Sequence, residues 1–228
     1  MRYLLLFTFF FYYSISLSQA QDITVSDDFE GNGTINTWYG DDCGINTSLD
    51  NPFPSDNNNS NTVLEYHDTG GLYANIGFDV VHNFDLSEES TFTIKVYLPE
   101  SEITGTQPNQ VSLKLQDGTL GEPWSTQTEI IKTLTTDEWQ TITFDFSTDD
   151  FINLSESSPD PIDRTDFNRV LLQFNGENNN DHVLAYVDDV SYSGTISEPE
   201  DSEPTDPVVF DSLVWSDEFD EDGSIDSE

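Results

Sequence analysis

Two short segments of this chain alternate apolar and polar side chains so that hydrogen-bonding groups would line up on one face. Segments 111–116 and 169–175 place apolar residues at every second position, and successive side chains of a strand point to opposite faces. If the two strands share a sheet, the polar face carries Lys114, Gln116, Gln173 and Asn175, and Tyr73 and Asn75 alternate so as to join it. Amides donate and accept hydrogen bonds and an ammonium donates them, so this face suits a ligand rich in hydroxyl groups. An ordinary solvated face fits the same pattern, because antiparallel sheets commonly leave one face wet.

Aromatic residues in turn-like surroundings offer a second kind of contact, because a sugar ring has an apolar C–H face that can pack on an aromatic ring. Trp124 stands in the sequence Gly-Glu-Pro-Trp-Ser and is the strongest loop candidate. Trp38 precedes Tyr-Gly-Asp-Asp, and a binding role and a core role both stay open for it, since large aromatics are often mostly buried. Trp139 begins a strand-like run, and we expect it to pack in the core at a strand edge.

The chain shows no pattern typical of catalysis. Hydrolysis of a glycosidic bond needs two carboxyl groups held about 5–10 Å apart across a cleft, and nothing in the sequence pairs any two of the 45 acidic residues. His67, His82 and His182 show no metal-ligand spacing, and no nucleophile motif surrounds a serine. We therefore expect a chain that is not an enzyme.

The charge balance narrows the class of partner. The formal net charge is −39, from 45 acidic residues against six Lys and Arg. Nucleic acids, anionic membranes and anionic polysaccharides are disfavoured by such a surface, whereas a neutral polysaccharide is not. Arg164 and Arg169 flank Thr-Asp-Phe-Asn, and among so much acid we expect them to fix loops through bidentate pairing.

The two ends of the chain differ in composition from its middle. Residues 1–20 have a positive Arg2, an apolar run and a Ser-Gln-Ala ending, which predicts a secretory signal peptide and a secreted or cell-surface protein. No later segment is apolar enough for membrane insertion. Residues 195–211 are acidic and rich in proline, which predicts an extended linker. A single cysteine, Cys43, leaves no internal disulfide.

The pattern of residues 22–194, in the middle of the chain, predicts a single all-β domain. Segments 91–98, 111–116, 140–146, 169–175 and 183–192 alternate with period two and are separated by turn residues. This pattern is typical of antiparallel strands with one buried face, and no window shows a convincing helical period. Regularly spaced strands without helices favour a β-sandwich or jelly roll, which we expect to be monomeric.

The last residues, 212–228, run Ser-Leu-Val-Trp-Ser-Asp-Glu-Phe-Asp-Glu-Asp-Gly-Ser-Ile-Asp-Ser-Glu. This stretch resembles the opening strand and turn of family 16 glycoside hydrolases of the laminarinase type. The resemblance implies a truncated start of such a catalytic domain, without the Glu-x-Asp-x-x-Glu strand that carries catalysis in that family. It also implies that the preceding domain targets an associated hydrolase to its polysaccharide, and a tether would raise the local concentration of the enzyme.

A second resemblance covers nearly all of the middle domain. Asp-Asp-Phe-Glu-Gly at 27–31 and Ala-Tyr-Val-Asp-Asp-Val-Ser at 185–191 are similar to the paired first and last strands of β-jelly-roll carbohydrate-binding modules of family 4 and its relatives, with a galactose-binding-like fold. The resemblance implies a structural calcium held by Glu30 and Asp188, with Asp28 as a possible further ligand. Carboxylate and carbonyl oxygens are what calcium prefers.

Further blocks at 38–44, 68–75, 110–127 and 166–177 resemble a domain that often precedes laminarinase-type catalytic domains. This resemblance implies binding of laminarin, a β-1,3-glucan. Two other functions stay open at this point. The chain could be an accessory chain of a split glycosidase, or a calcium-stabilised adhesion or structural module of the cell surface.

Overall fold

The computed structural model describes residues 22–196. This part of the chain folds into two antiparallel sheets that face each other, with three single-turn 3-10 helices at Glu100–Glu102, Pro123–Thr126 and Pro161–Asp163. The prediction of an all-β sandwich is confirmed. Within the same residues, no helix is long and apolar enough to cross a membrane. The predicted signal peptide lies outside the described residues, as do nearly all of the predicted linker and the whole of segment 212–228.

Twelve strands, numbered in chain order, make up the two sheets of the described residues. The first sheet contains β1 (Ile23–Asp27), β3 (Gly44–Asp50), β4 (Thr62–Thr69), β6 (Thr91–Tyr97), β9 (Trp139–Asp145) and β12 (His182–Ile196). Its order is β3-β4-β12-β6-β9, and β1 pairs with β12. The second sheet contains β2 (Tyr39–Asp41), β5 (Asn75–Asp79), β7 (Gln110–Gln116), β8 (Thr128–Thr133), β10 (Ile152–Asn153) and β11 (Arg169–Phe174). Its order is β10-β8-β7-β11-β5-β2.

The core lies between the sheets and follows the period-two pattern of the sequence. In β6, the alternate residues Phe92, Ile94 and Val96 are at most 2 % exposed, while the residues between them are only partly buried. Side chains of a strand that alternate in this way place one apolar face against the opposite sheet. The prediction from segment 91–98 is therefore confirmed at the level of individual residues.

Strand β7 departs from this pattern, because both of its faces are buried. Val111, Leu113 and Leu115 point into the core, as the alternation predicts. On the other face, Lys114 is 3 % exposed and Gln116 is 4 % exposed. The outer face of the second sheet is therefore not an ordinary solvated face at its centre, and its polar groups lie at the bottom of a cleft.

The outer face of the first sheet is covered by the loop at 51–61. Most of this loop is exposed, in agreement with its polar composition, but it is anchored at two points. The ring of Phe53 stacks on Tyr97 at 4.2 Å, and the indole nitrogen of Trp139 donates to the Phe53 carbonyl oxygen at 2.8 Å. The second anchor is Asn58, which is 1 % exposed. Trp139 thus packs at a strand edge as predicted, but in a small cluster on the outer side of the sheet.

Candidate functional site

A cleft of about 650 Å³ lies on the outer face of the second sheet. Its lining combines strand residues with residues of the flanking loops: Tyr39, Asp41, Tyr73, Asn75, Lys114, Gln116, Pro123, Trp124, Gln127, Leu154, Arg169, Leu171, Gln173, Glu177 and Asn178. Six of the eight residues predicted to bind carbohydrate are in this lining. The structure therefore brings together side chains from distant parts of the sequence.

Strand register explains how these residues meet. Lys114 lies opposite Glu129 of β8 and opposite Leu171 of β11. Leu171 lies opposite Gly77 of β5, which in turn lies opposite Tyr39 of β2. Residues that are paired across antiparallel strands point to the same face, so this row crosses the floor of the cleft from one side to the other.

Position 77 in this row has no room for a side chain, so it requires glycine. A Cβ atom built on it would lie 2.4 Å from Leu171 Cδ2 and 2.6 Å from the carbonyl oxygen of Val170. Any side chain at this position would push Leu171 out of the floor. The absence of a side chain at Gly77 therefore shapes the cleft.

Lys114 is a buried cation at the centre of the floor. Its ammonium group forms an ion pair with the carboxylate of Glu177, and Glu129 Oε2 lies 3.7 Å from Nζ. Burying an ammonium ion without a partner is costly, so the two carboxylates account for its place there. The charge of Lys114 is consequently balanced by the protein itself.

The side-chain amides of the floor are held by hydrogen bonds. Gln116 Nε2 donates to Gln127 Oε1 at 2.9 Å. Gln173 Nε2 donates to the carbonyl oxygen of Ala74 at 3.3 Å, and Asn75 Nδ2 donates to the carbonyl oxygen of Tyr73 at 2.8 Å. Each of these bonds uses only part of an amide's capacity, which is two N–H groups and one oxygen with two lone pairs. Donors and acceptors therefore remain for a ligand.

One side of the floor is fixed by a cluster around Asp79. Arg169 donates to both carboxylate oxygens of Asp79, at 2.7 and 2.8 Å, and the hydroxyl of Tyr39 donates to Oδ1 at 3.1 Å. The Arg169 hydrogen bonds hold the pKa of Asp79 below its usual range. Burial and the nearby Asp79 charge raise the pKa of Tyr39, so its hydroxyl stays protonated and can act as a donor. The ring of Tyr39 is thereby held against the cleft.

Large apolar side chains stand at the sides of the cleft and are open to solvent. Trp124 is 55 % exposed, Leu154 is 59 % exposed and Tyr73 is 51 % exposed. Trp124 belongs to the 3-10 helix between β7 and β8, whereas Tyr73 precedes β5 and donates from its hydroxyl to Asn178 Oδ1 at 2.8 Å. Because β7 and β8 lie on one side of β11 and β5 lies on the other, Trp124 and Tyr73 flank the floor from opposite sides.

Two of the residues predicted from the sequence lie outside the lining. Trp38 packs between Phe29 and Phe78, with ring centroids 5.6 and 4.9 Å away, and its Nε1 donates to Asp27 Oδ2 at 2.9 Å. Asn175 follows β11 with a positive φ of 55° and is 1 % exposed. Of the two open roles of Trp38, these contacts correspond to the core role.

Asn175 has one feature of its own. Its Nδ2 is a buried side-chain atom that has no hydrogen-bond partner within residues 22–196, while its backbone N–H donates to the Gln110 carbonyl oxygen at 3.0 Å. The positive φ turns the chain out of the strand direction here. For this reason strand alternation does not carry Asn175 onto the floor.

The residues expected to hold calcium lie in two different places. Glu30 accepts from the backbone N–H groups of Asn61 and Thr62 at 2.6 and 2.8 Å. Asp188 is fully buried and accepts from Asn58 Nδ2 at 2.7 Å; burial raises its pKa. Both carboxylates therefore contact the end of the loop that precedes β4.

Asp28, by contrast, accepts at Oδ1 from the backbone N–H of Glu30 at 3.1 Å and lines a separate groove beside Asp189. Within residues 22–196, no group of three or more His, Cys, Asp or Glu side chains is arranged to hold a metal ion. A calcium at this place would therefore need amide or carbonyl oxygens of the loop besides Glu30 and Asp188.

Several lining residues were not among those predicted to bind carbohydrate. Gln127, Leu154 and Glu177 come from the connections between strands, where no periodic pattern marks the side that a residue faces. The sequence does give one signal for Gln127, because it follows the turn residues around Trp124 directly. Glu177 has no such signal, because its pairing with Lys114 follows from the burial of that lysine, which the sequence does not show.

Comparison with known proteins identifies one family and several similar solved structures. A family model described as "Carbohydrate binding domain" (CBM 4/9) matches residues 21–156, which is more than half of the chain. Among solved structures, a family 11 carbohydrate-binding module of a cellulosomal cellulase of Clostridium thermocellum is similar with a TM-score of 0.50 and 15% identity, covering 78% of this chain and 96% of that one.

A further similar structure is the C-terminal family 22 carbohydrate-binding module of a Clostridium thermocellum protein, with a TM-score of 0.45 and 15% identity. It covers 74% of this chain and 92% of that one. No curated protein sequence matches the chain. At this level of identity, the similarity to the family 11 module shows the fold alone.

Proposed function

The chain belongs to the CBM 4/9 family of carbohydrate binding domains, and from this premise we propose that its cleft binds a neutral polysaccharide of the laminarin type, a β-1,3-glucan, without catalysis. The observation that carries the proposal is a single cleft in which a polar floor lies between exposed aromatic side chains. Family membership supports carbohydrate as the ligand class. The β-1,3 linkage rests on the resemblance of segments 38–44, 68–75, 110–127 and 166–177 to domains that precede laminarinases.

The charges of the cleft favour a neutral glycan. The two cations that line it, Lys114 and Arg169, are each paired with protein carboxylates. A uronate or sulfate group would have to displace Glu177 or Asp79 to reach them, and it would do so against a net charge of −39. Neutral sugar hydroxyls meet no such barrier.

The arrangement of polar and apolar groups fits the two kinds of surface on a sugar. Hydroxyl groups lie around the edge of a pyranose ring and can exchange hydrogen bonds with the amides of Gln116, Gln173 and Asn75. The C–H faces of the ring can pack on Trp124 and Tyr73, whose exposed rings present apolar area. A glycan chain in the cleft would use both.

We also propose that a calcium ion stabilises this domain near the loop at 58–62. Glu30 and Asp188 both contact this loop, from the two ends of the described chain. Asp188 is buried and has an unfavourable ionised form there, which a divalent cation would stabilise. Bound calcium would link the turn after the first strand to the last strand of a domain that contains no disulfide.

In the complete protein, we propose that the domain is exported and directs an attached or associated family 16 hydrolase to its substrate. The support is the sequence of residues 1–20 and 212–228, which lie outside the described residues. In this proposal the binding domain keeps a tethered enzyme near the polymer, which raises its effective concentration there.

Isothermal titration calorimetry of the full chain tests the proposed ligand. We expect saturable heat with laminarihexaose and none with an alginate oligosaccharide; cellohexaose and xylohexaose measure selectivity among neutral chains. Trp124→Ala is expected to weaken the binding, and Val81→Ala, which changes an exposed residue outside the cleft lining, is not. Absence of heat with every neutral glycan, while the chain remains folded, would overturn the proposal.

A further inference from the structure

Gln116 and Gln127 form a pair of amides at the bottom of the cleft. Gln116 is 4 % exposed and Gln127 is 9 % exposed, and both line the cleft. Gln116 Nε2 donates to Gln127 Oε1 over 2.9 Å. One donor atom and one acceptor atom thus lie side by side at a hydrogen-bonding distance.

Each of these two atoms keeps half of its capacity. Nε2 of Gln116 has a second N–H group, and Oε1 of Gln127 has a second lone pair. The two oxygens of a vicinal diol on a pyranose ring are separated by a similar distance. One hydroxyl of such a diol can accept from Gln116 while its neighbour donates to Gln127, and both bonds form without breaking the bond between the amides.

Arg164 forms hydrogen bonds to the two residues next to Gln127 in the chain. Nη1 of Arg164 donates to the carbonyl oxygen of Thr126 at 2.7 Å and to the hydroxyl of Thr128 at 3.2 Å. The same guanidinium is held by Asp166 through Nε at 2.9 Å and Nη2 at 2.7 Å. Arg164 thus holds the residues on both sides of Gln127, and the bond from Gln116 holds the amide itself, so the amide has less freedom to lose on binding.

We propose that the Gln116–Gln127 pair is a specificity-determining contact that binds a free vicinal diol of one sugar unit. The inference rests on the proposed function, since it concerns the same cleft. It also predicts which unit of a glucan the pair can bind, because the glycosidic linkage decides which units have a free vicinal diol. In the interior of a β-1,3-glucan, the oxygen at carbon 3 is part of a glycosidic bond, so no interior unit has two free neighbouring hydroxyls.

The non-reducing terminal unit differs, because its hydroxyls at carbons 2, 3 and 4 are all free. The amide pair therefore selects the non-reducing end of a β-1,3-glucan. A glucan with β-1,4 linkages offers the diol at carbons 2 and 3 of every unit, so the same contact there would not depend on the chain end.

Periodate provides a direct test, because it cleaves vicinal diols and leaves the interior of a β-1,3-glucan intact. The full chain is titrated with the methyl β-glycoside of laminarihexaose, and with the same compound after periodate oxidation and borohydride reduction. The methyl glycoside has no vicinal diol at its reducing end, so periodate changes only the non-reducing terminal unit. We expect the periodate-treated ligand to bind about tenfold more weakly, the order expected for lost hydrogen bonds.

Two variants connect this loss to the amides. Gln127→Met removes the acceptor and Gln116→Met removes the donor, so the test survives if one of them fails to fold. Each is expected to bind the untreated ligand about tenfold more weakly and to lose nothing further with the periodate-treated ligand. Gln140→Met is the matched control, because Gln140 lies in the other sheet and donates to the Thr135 carbonyl oxygen at 2.8 Å.

The outcomes separate this inference from the proposed function. If the wild-type chain binds the treated and untreated ligands equally, or if the glutamine variants weaken both ligands by the same factor, the diol contact is overturned while glucan binding stands. If the wild-type chain binds neither laminarihexaose nor any other neutral glycan, the proposed function fails, and the diol contact fails with it.

Discussion

Arg164 donates a hydrogen bond of 2.7 Å from Nη1 to the backbone oxygen of Thr126, and this bond ties a buried guanidinium to the segment that carries Trp124 and Gln127. The arginine is 7 % exposed and lies over the ring of Phe167 at 3.9 Å. A planar group with several donors is needed to serve Thr126 and Asp166 together. The link connects the buried Arg164 to the residues Trp124 and Gln127 that line the cleft.

Replacing Arg164 by lysine is expected to weaken glycan binding about fivefold, because a lysine cannot make the same set of hydrogen bonds. The loss should disappear in a Trp124→Ala, Gln127→Met background if Arg164 acts through these two residues. Calorimetry on the four variants of this cycle measures the coupling. Lys132→Gln, which removes the cation of a partly exposed pair with Asp149, serves as the control. Additive losses would show that Arg164 supports the fold in general.

Truncation of Trp124 is expected to lower glycan affinity, whereas truncation of Trp38 is expected to lower stability. Trp124→Ala removes an exposed ring at the cleft and should lower affinity up to about tenfold, since an aromatic contact contributes about 0.5–1.5 kcal/mol. The free energy of unfolding should change little. Trp38→Ala removes a ring that packs on Phe29 and Phe78 and should cost about 2–4 kcal/mol of stability.

Urea unfolding and calorimetry on the same two tryptophan variants separate these effects. A Trp38→Ala chain that keeps its stability but loses binding would place Trp38 in the site, contrary to its contacts with the core. Tyr73→Phe is a useful companion, because it keeps the ring and removes only the hydroxyl that donates to Asn178.

The sequence predicts the fold well because the fold depends on alternation, which is a local property. In segment 91–98 the alternation predicts correctly which residues are buried, since Phe92, Ile94 and Val96 face one continuous core. The same property predicts which side of β7 and β11 the polar residues occupy. It holds as long as a strand keeps its regular backbone, and Asn175 shows the limit, because its positive φ of 55° ends the alternation.

The depth of the cleft could not be predicted in this way. Lys114 and Gln116 are buried because Glu177, Gln127 and the helix with Trp124 surround them, and these groups belong to connections without a periodic pattern. The sequence around Trp38 leaves its role open, since a glycine and aspartates follow it closely, and only the structure shows that its ring contacts Phe29 and Phe78. Which loop covers which face is a tertiary property, and a single sequence carries little information about it.

Calcium is expected to stabilise the chain by about 2–3 kcal/mol when its concentration is about a hundredfold above the dissociation constant, because it binds only the folded form. Urea unfolding with calcium and then with a chelator measures the difference. Glu30→Gln should abolish it. Asp163→Asn is the control, since Asp163 is an exposed carboxylate of the 3-10 helix at Pro161–Asp163 and should leave the calcium effect unchanged. Equal stability of the wild-type chain with calcium and with chelator would exclude the proposed site.

Affinity for the glycan is expected to be constant from neutral pH down to about pH 4, the ordinary range of an aspartate, and to fall below it. The Arg169 hydrogen bonds lower the pKa of Asp79 in the folded chain, so its ionised form is favoured by folding. A lowered pKa gives stability that is present above the ordinary value and is lost as pH falls through the folded value. Protonation would release Arg169 and weaken the hold on Tyr39.

Asp79→Asn tests this assignment, because asparagine keeps the shape but cannot ionise. The variant should bind more weakly than the wild-type chain at neutral pH, and its affinity should not decline through the pH range in which Asp79 titrates. Calorimetry at a series of pH values, with circular dichroism to follow the folded fraction, gives both quantities. Asp145 provides a matched comparison, since hydroxyl groups of Ser147 and Ser90 lower its pKa far from the cleft lining. If Asp145→Asn removes the acid loss of affinity and Asp79→Asn does not, the decline reflects general unfolding and the Tyr39 side of the floor does not depend on Asp79.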